Sequence, residues 1–149
     1  LASEPDWAAL RAAAATARAH AHAPYSGFHV GAALLADDGR VFLGANCENA
    51  SYPLGLCAER AAMAAAVTAG ARRFRAIAIV VDGAVPATPC GGCRQVLAEF
   101  PPSFEVRCYA TGGQAEVRSS VAELLPHAFA SALLGCAVPD SADRPKGGR

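Results

Sequence analysis

Residues 75–82 read RAIAIVVD, a short run that is almost continuously apolar and rich in β-branched side chains. Such a run suggests a strand covered on both faces. The chain around it alternates between strand and helix signals. Asp6 can cap a helix over Trp7–His22, with Trp7, Leu10 and Ala14 on its inner stripe. "FHVGAALLA" and "RVFLGA" form a hairpin pattern around "DDG". "NCENASYPLG" reads as a polar and aromatic loop feeding a helix that runs from Cys57 to about Ala69 and stops at Gly70. After the apolar strand, "PCGGCRQVLAEF" turns into a helix ended by Pro101 and Pro102. "FEVRCYA" and "AEVRS" read as strands, and "SVAELLPHAF" as a helical turn with Ser120 as its cap. Strands alternating with helices indicate an α/β layered domain.

The 149 residues suit one domain. With 53% hydrophobic and 17% charged residues the chain is globular rather than disordered. Lysine plus arginine and aspartate plus glutamate both number 13, which argues against a polyanion-binding surface and hence a nucleic-acid partner. No apolar run approaches the roughly 20 residues that span a bilayer, so no membrane partner is expected. The alanine-rich start carries arginines and histidines and reads as a soluble helix rather than a signal sequence. Because the chain opens at Leu1, a short missing or processed start is expected. Residues from Val138 onward are rich in proline, glycine and charge, so 138–149 is expected to be a disordered tail behind a domain spanning 1–137. Six cysteines in so apolar a chain suit a metal better than disulfides, and a reducing cytoplasm.

Chemistry concentrates at two helix starts. Cys90 and Cys93 lie three apart at a strand-to-helix junction, where unpaired N–H groups and the helix dipole favour thiolates. Alone, this CxxC fits a redox pair, half of a structural zinc knuckle or part of a catalytic metal site. Cys57 begins the preceding helix, so two helices can aim their N-termini at one point, and three thiolates would supply three ligands of a tetrahedral zinc. Cys47, Cys108 and Cys136 have no supporting spacing and read as small packing residues. His20, His22, His29 and His127 read as packing or surface residues. A fourth position filled by water is the simplest account, and Glu59 can reach that water without binding the metal.

Cys57-Ala58-Glu59 followed by Pro89-Cys90-Gly91-Gly92-Cys93 matches the zinc nucleoside-deaminase signature. With "PYSGFHVGAALL", "GANCENASYPLGLCAER" and "PCGGCRQVL", the chain resembles the small, homotetrameric cytidine deaminases over residues 7–134. The resemblance implies a three-layer α/β/α fold with a mixed central sheet of about five strands, and one zinc per chain. It implies hydrolysis of cytidine and 2′-deoxycytidine in pyrimidine salvage: a zinc-bound hydroxide attacks C4 of the base while Glu59 shuttles protons to N3 and to the departing ammonia.

By the same resemblance Asn46 and Glu48 grip the ribose 3′-hydroxyl and Phe28 packs on base and sugar, although Phe28 could also be a core strand residue. Ala58 and Tyr52 border the substrate, with Tyr25 beside them, and Phe129 enters a neighbouring subunit's pocket. Arg60 draws charge from the thiolates, which would otherwise weaken the zinc as a Lewis acid; a plain helix-surface arginine is its alternative. Rival readings are a deaminase of another cytosine nucleoside of the blasticidin S type, a non-catalytic zinc-stabilised interaction module, and a redox CxxC protein. The module needs a fourth protein ligand and leaves Glu59 idle; the redox protein leaves Cys57 unexplained.

Overall fold

The apolar run at 74–81 is the middle strand of a five-stranded mixed sheet. The computed structural model describes residues 3–136, so the tail expected over 138–149 and the boundary at 137 lie outside the described residues. The strands are β1 (Val30–Ala36), β2 (Val41–Ala45), β3 (Phe74–Val81), β4 (Glu105–Ala110) and β5 (Glu116–Ser120). They lie in the order β2-β1-β3-β4-β5. Only β3 and β4 pair in parallel; the other neighbours are antiparallel. The helices are α1 (Trp7–Arg18), α2 (Ala58–Thr68), α3 (Gly91–Ala98) and α4 (Val121–Leu124).

Strand alternation separates two cores. Ile77, Ile79 and Val81 of β3 join Ala62 and Met63 of α2 and Leu97 of α3 on one face. Ala76, Ala78 and Val80 join Trp7, Leu10 and Ala14 of α1 on the other. The result is the three-layer arrangement that the sequence implied. Glycines set the helix-to-sheet distance on each face. A Cβ on Gly31 would stand 1.9 Å from the Ala14 carbonyl oxygen of α1. One on Gly44 would stand 2.1 Å from the Ala58 oxygen and 2.4 Å from the Ala62 nitrogen of α2. The β1–β2 turn holds Gly39 at φ +86°, and Gly70 ends α2 at φ +88°, both in the left-handed region that favours glycine.

Two boundaries differ from the sequence expectation. Helix α1 stops at Arg18 rather than His22, because the chain leaves it to pair with the loop after β2: His22 N–H donates to the Asn46 carbonyl at 2.9 Å, and Glu48 N–H donates to the His22 carbonyl at 2.8 Å. Strand β1 begins at Val30 rather than Phe28, because the Asn46 side chain takes the ladder's place there, accepting from Val30 N–H and donating to the Phe28 carbonyl, both at 2.8 Å. A 3₁₀ turn at Ser131–Leu134 had no clear sequence signal. Among the described residues no helix is long and apolar enough to cross a membrane.

Candidate active site

Helices α2 and α3 pack on the same face of the sheet, and each begins at a cysteine. Cys57 and Cys90 are their N-cap residues, both with extended backbone, and neither makes a side-chain cap hydrogen bond. Neither cap side chain accepts from the first N–H groups of its helix, and both helix starts carry positive potential. Cys93 lies in the first turn of α3 and is buried. The three sulfur atoms all lie within 4.8 Å of one another, with Cys57 Sγ and Cys90 Sγ 3.9 Å apart.

Thiolates around a tetrahedral zinc at about 2.3 Å stand about 3.8 Å from each other, so the group suits that ion. Its electrostatics point the same way. The Cys57 thiol is pulled down to about 6, chiefly by the hydrogen bond from Cys93. Cys93 is pushed up, first by that same bond, which favours its protonated form, and then by burial. The cluster thus supports the Cys57 thiolate readily, and a cation is needed before Cys93 ionises. Among the described residues no other cysteine or histidine joins the group.

Glu59 lies in the first turn of α2, only 6% exposed, and its Oε2 accepts from Cys93 Sγ at 3.6 Å. Burial raises its pKa, by disfavouring the charged carboxylate. A cavity of about 260 Å³ opens above it, at the carboxyl end of β3. Cys57, Ala58, Glu59 and Cys90 line one side; Phe28, Asn46 and Glu48 line another. Ala58 is fully buried and brings the α2 backbone to the cavity. Phe28 is 43% exposed, so it is not a core strand residue, and it faces this cavity.

The polar wall, Asn46 and Glu48 after β2, is anchored on the loop before β1. Glu48 Oε2 accepts from the backbone N–H groups of Tyr25 and Ser26 at 2.9 and 3.2 Å, and the Ser26 hydroxyl donates to its Oε1. The Ser26 bond is the main reason the Glu48 carboxyl lies below its usual range. Ser26 and Thr88 both line the cavity, yet neither stood out as a site residue in sequence. Ser26 lies inside the quoted PYSGF segment, but nothing in that pattern shows which loop it serves.

The remaining expected residues lie around the rim or away from it. Tyr52, 74% exposed, packs edge to face on Tyr25 at 5.6 Å in an adjoining groove that shares Ser26 and Glu48 with the cavity. Phe129 is 60% exposed and does not line its own chain's cavity; its carbonyl accepts from Gln95 Nε2 at 2.8 Å. Arg60 is exposed and makes no hydrogen bond to a sulfur among the described residues, but its charge helps to lower the Cys57 pKa. Cys108 is a buried packing residue, its thiol pushed up to about 12 by burial, whereas Cys47 and Cys136 are exposed and correct the packing expectation. The loop around Cys47 is held by backbone pairing with Leu56 and needs no packing from its side chain. His29 pairs with Asp82 at 2.8 Å, and His20, His22 and His127 are at the surface.

Comparison with known proteins gives a consistent picture. Residues 4–108 match the family model described as the cytidine and deoxycytidylate deaminase zinc-binding region. The chain is 48% identical over 114 residues to a cytidine deaminase of Sporosarcina psychrophila, covering 76% of this chain and 83% of that protein. It is 51% identical over 114 residues to a cytidine deaminase of Halalkalibacterium halodurans, covering 76% and 86%. Among solved structures it resembles cytidine deaminase from Burkholderia pseudomallei with a TM-score of 0.80 and 48% identity, covering 84% of this chain and 100% of that one.

Proposed function

The chain belongs to the cytidine and deoxycytidylate deaminase family and is a zinc-dependent deaminase, and we propose that its substrates are free cytidine and 2′-deoxycytidine, hydrolysed to uridine and 2′-deoxyuridine with release of ammonia. The observation that carries this reading is a buried Glu59 beside three convergent cysteines at the base of a nucleoside-sized cavity. Zinc held by Cys57, Cys90 and Cys93 would supply the Lewis acidity that makes water a nucleophile at neutral pH.

Glu59 takes the proton of the water whose oxygen adds to C4, and delivers it to N3. It then carries the second proton to the exocyclic amine, the C4–N bond breaks and ammonia leaves. A raised pKa suits both directions of transfer. Arg60 offsets part of the thiolates' negative charge from the helix surface.

Specificity follows from the wall. Phe28 offers a face for base and sugar, and Ala58 lets the ring approach the helix backbone. Glu48, anchored by Tyr25 and Ser26, and Asn46, which keeps an unused N–H, bind the 3′-hydroxyl. Two carboxylates and, among the described residues, no lysine or arginine line the cavity, which favours a nucleoside over its phosphate. Tyr52 borders the entrance.

Residues 1–137 act as the catalytic domain of a homotetramer whose sites are shared, Phe129 entering a neighbour's cavity. The exposure of Phe129 and its absence from its own chain's cavity support this. Free thiols at all six cysteines fit a cytoplasmic enzyme of pyrimidine salvage.

A spectrophotometric assay of cytidine loss, with zinc measured on the same sample, tests the reaction: turnover with about one zinc per chain is expected, and a zinc-loaded protein that leaves cytidine untouched refutes it. Mixing Phe129→Ala and Glu59→Gln chains tests sharing. Hybrids should recover activity that neither parent has; verified hybrids that gain nothing refute the arrangement.

A further inference from the structure

Cys90 stands at the end of an irregular stretch that leaves β3; Ala87 packs on the core and Pro89 is fully buried, but the stretch has few hydrogen bonds. Pro86 and Pro89 have no N–H to give. Among the described residues, no backbone–backbone hydrogen bond involves residues 84–89. Among the described residues two side-chain hydrogen bonds reach it, and both come from Arg94: Nε donates to the Pro89 carbonyl at 2.7 Å and Nη2 to Thr88 Oγ1 at 2.9 Å. The same guanidinium donates through Nη1 to the Leu124 carbonyl at 2.8 Å, an end carbonyl of α4.

Arg94 directly follows Cys93 on α3, and its own N–H donates to the Cys90 carbonyl at 3.0 Å. One half-buried side chain therefore ties together the approach to Cys90, the helix carrying Cys93, the cavity wall at Thr88 and the C-terminal segment. The job suits arginine, whose planar fork directs several donors at fixed angles; a lysine ammonium on a flexible stem cannot hold three separated acceptors in one arrangement.

We propose that Arg94 is a positioning residue for the metal: it holds the 86–90 stretch so that Cys90 Sγ stays at bonding distance of the ion that Cys57 and Cys93 share. This rests on the reading of these three cysteines as zinc ligands. Groups that orient metal ligands typically contribute on the order of 10–100-fold in metal affinity.

The test is the rate of zinc transfer from the purified holoenzyme to the chelator 4-(2-pyridylazo)resorcinol, with thermal unfolding of metal-free samples run in parallel. Arg94→Ala is expected to release zinc about 10-fold faster or more, beyond any change in metal-free stability. Gln95→Ala, which cuts only the bond to the Phe129 carbonyl, should release zinc at the wild-type rate. A role confined to general packing would lower metal-free stability and leave release unchanged, and that result from folded Arg94→Ala overturns the proposal.

Should the alanine variant not fold, Arg94→Lys decides: several-fold faster release supports the proposal, and the wild-type rate overturns it. Cys90→Ala separates the two layers of the argument. If it keeps zinc as tightly as the wild type, the ligand assignment itself is wrong. If it loses zinc while Arg94→Ala does not, only the role of Arg94 falls.

Discussion

Helices α1 and α4 begin differently from α2 and α3. Asp6 accepts from Ala9 N–H at 3.0 Å to cap α1, and Ser120 and Glu123 form a reciprocal capping box on α4. At α2 and α3 the cap positions are cysteines that cap nothing. The first pair spends its end groups on its own stability. The second pair leaves donors and dipole free to face the cavity, and is held instead by contacts from elsewhere: the close approach of α2 to Gly44, and the reach of Arg94 around α3. Side-chain capping and convergent thiols are thus divided between helix starts.

The largest expected effect comes from the group that only the uncapped start presents. Glu59→Gln should reduce kcat on the order of 10²-fold or more while retaining zinc, since the amide keeps the shape but cannot carry protons. Near-normal turnover with zinc retained would make Glu59 an ordinary buried helix residue and remove the contrast.

Next is Cys57→Ser, which turns an uncapped start into one that can be capped. Zinc should be lost or loosened by at least about 10-fold, because the metal loses a thiolate. The metal-free protein should be as stable as the wild type or gain up to about 1 kcal/mol, because serine can accept from the free N–H groups. Metal analysis and thermal unfolding read the two separately; a variant that holds zinc tightly removes Cys57 from the ligand set.

Gly44→Ala strikes the support rather than the start. The added methyl would overlap the α2 backbone, which cannot move without shifting Cys57 and Glu59, so a loss of about 1–3 kcal/mol is expected, with lower kcat. Gly92→Ala meets open space and should be tolerated. Equal behaviour of the two variants in unfolding and kinetics would show that α2 is not set by this contact.

Asp6→Ala should cost about 1 kcal/mol of stability and leave zinc content and kcat unchanged, as a purely structural cap requires. A fall in either would link the α1 start to the site.

The smallest change at neutral pH is expected from Ser26→Ala, which weakens the hold on Glu48. Hydrogen bonds keep that carboxylate ionised to lower pH than usual. Its contribution is therefore present above its ordinary pKa and lost as pH falls through the lowered one. Without Ser26 the loss begins at a higher pH, so KM should rise earlier on acidification. Identical KM–pH curves for the two proteins would separate Ser26 from substrate binding.

Features written into single short segments were readable from the sequence alone. Strand β3 carries its apolar run whatever surrounds it, Asp6 and Ser120 precede their helices, and Cys57 with Cys90 and Cys93 mark two helix starts by spacing. The family signature could be recognised because those positions lie in contiguous motifs. What depends on distant segments meeting could not be read. The Asn46 side chain ends β1 early by bonding residues 28 and 30, and His22 leaves α1 to pair with residues 46 and 48. Glu48 is anchored from residues 25 and 26, and Arg94 reaches Leu124. These are bonds between polar groups far apart in the chain, possible only where the packed sheet and helices bring the partners together, and no local pattern distinguishes an arginine or asparagine that will find such partners from one that will face water. Burial is decided the same way: Glu59 is a carboxylate in sequence, and its pKa is raised only because the packing of α2 onto β2 takes it out of water.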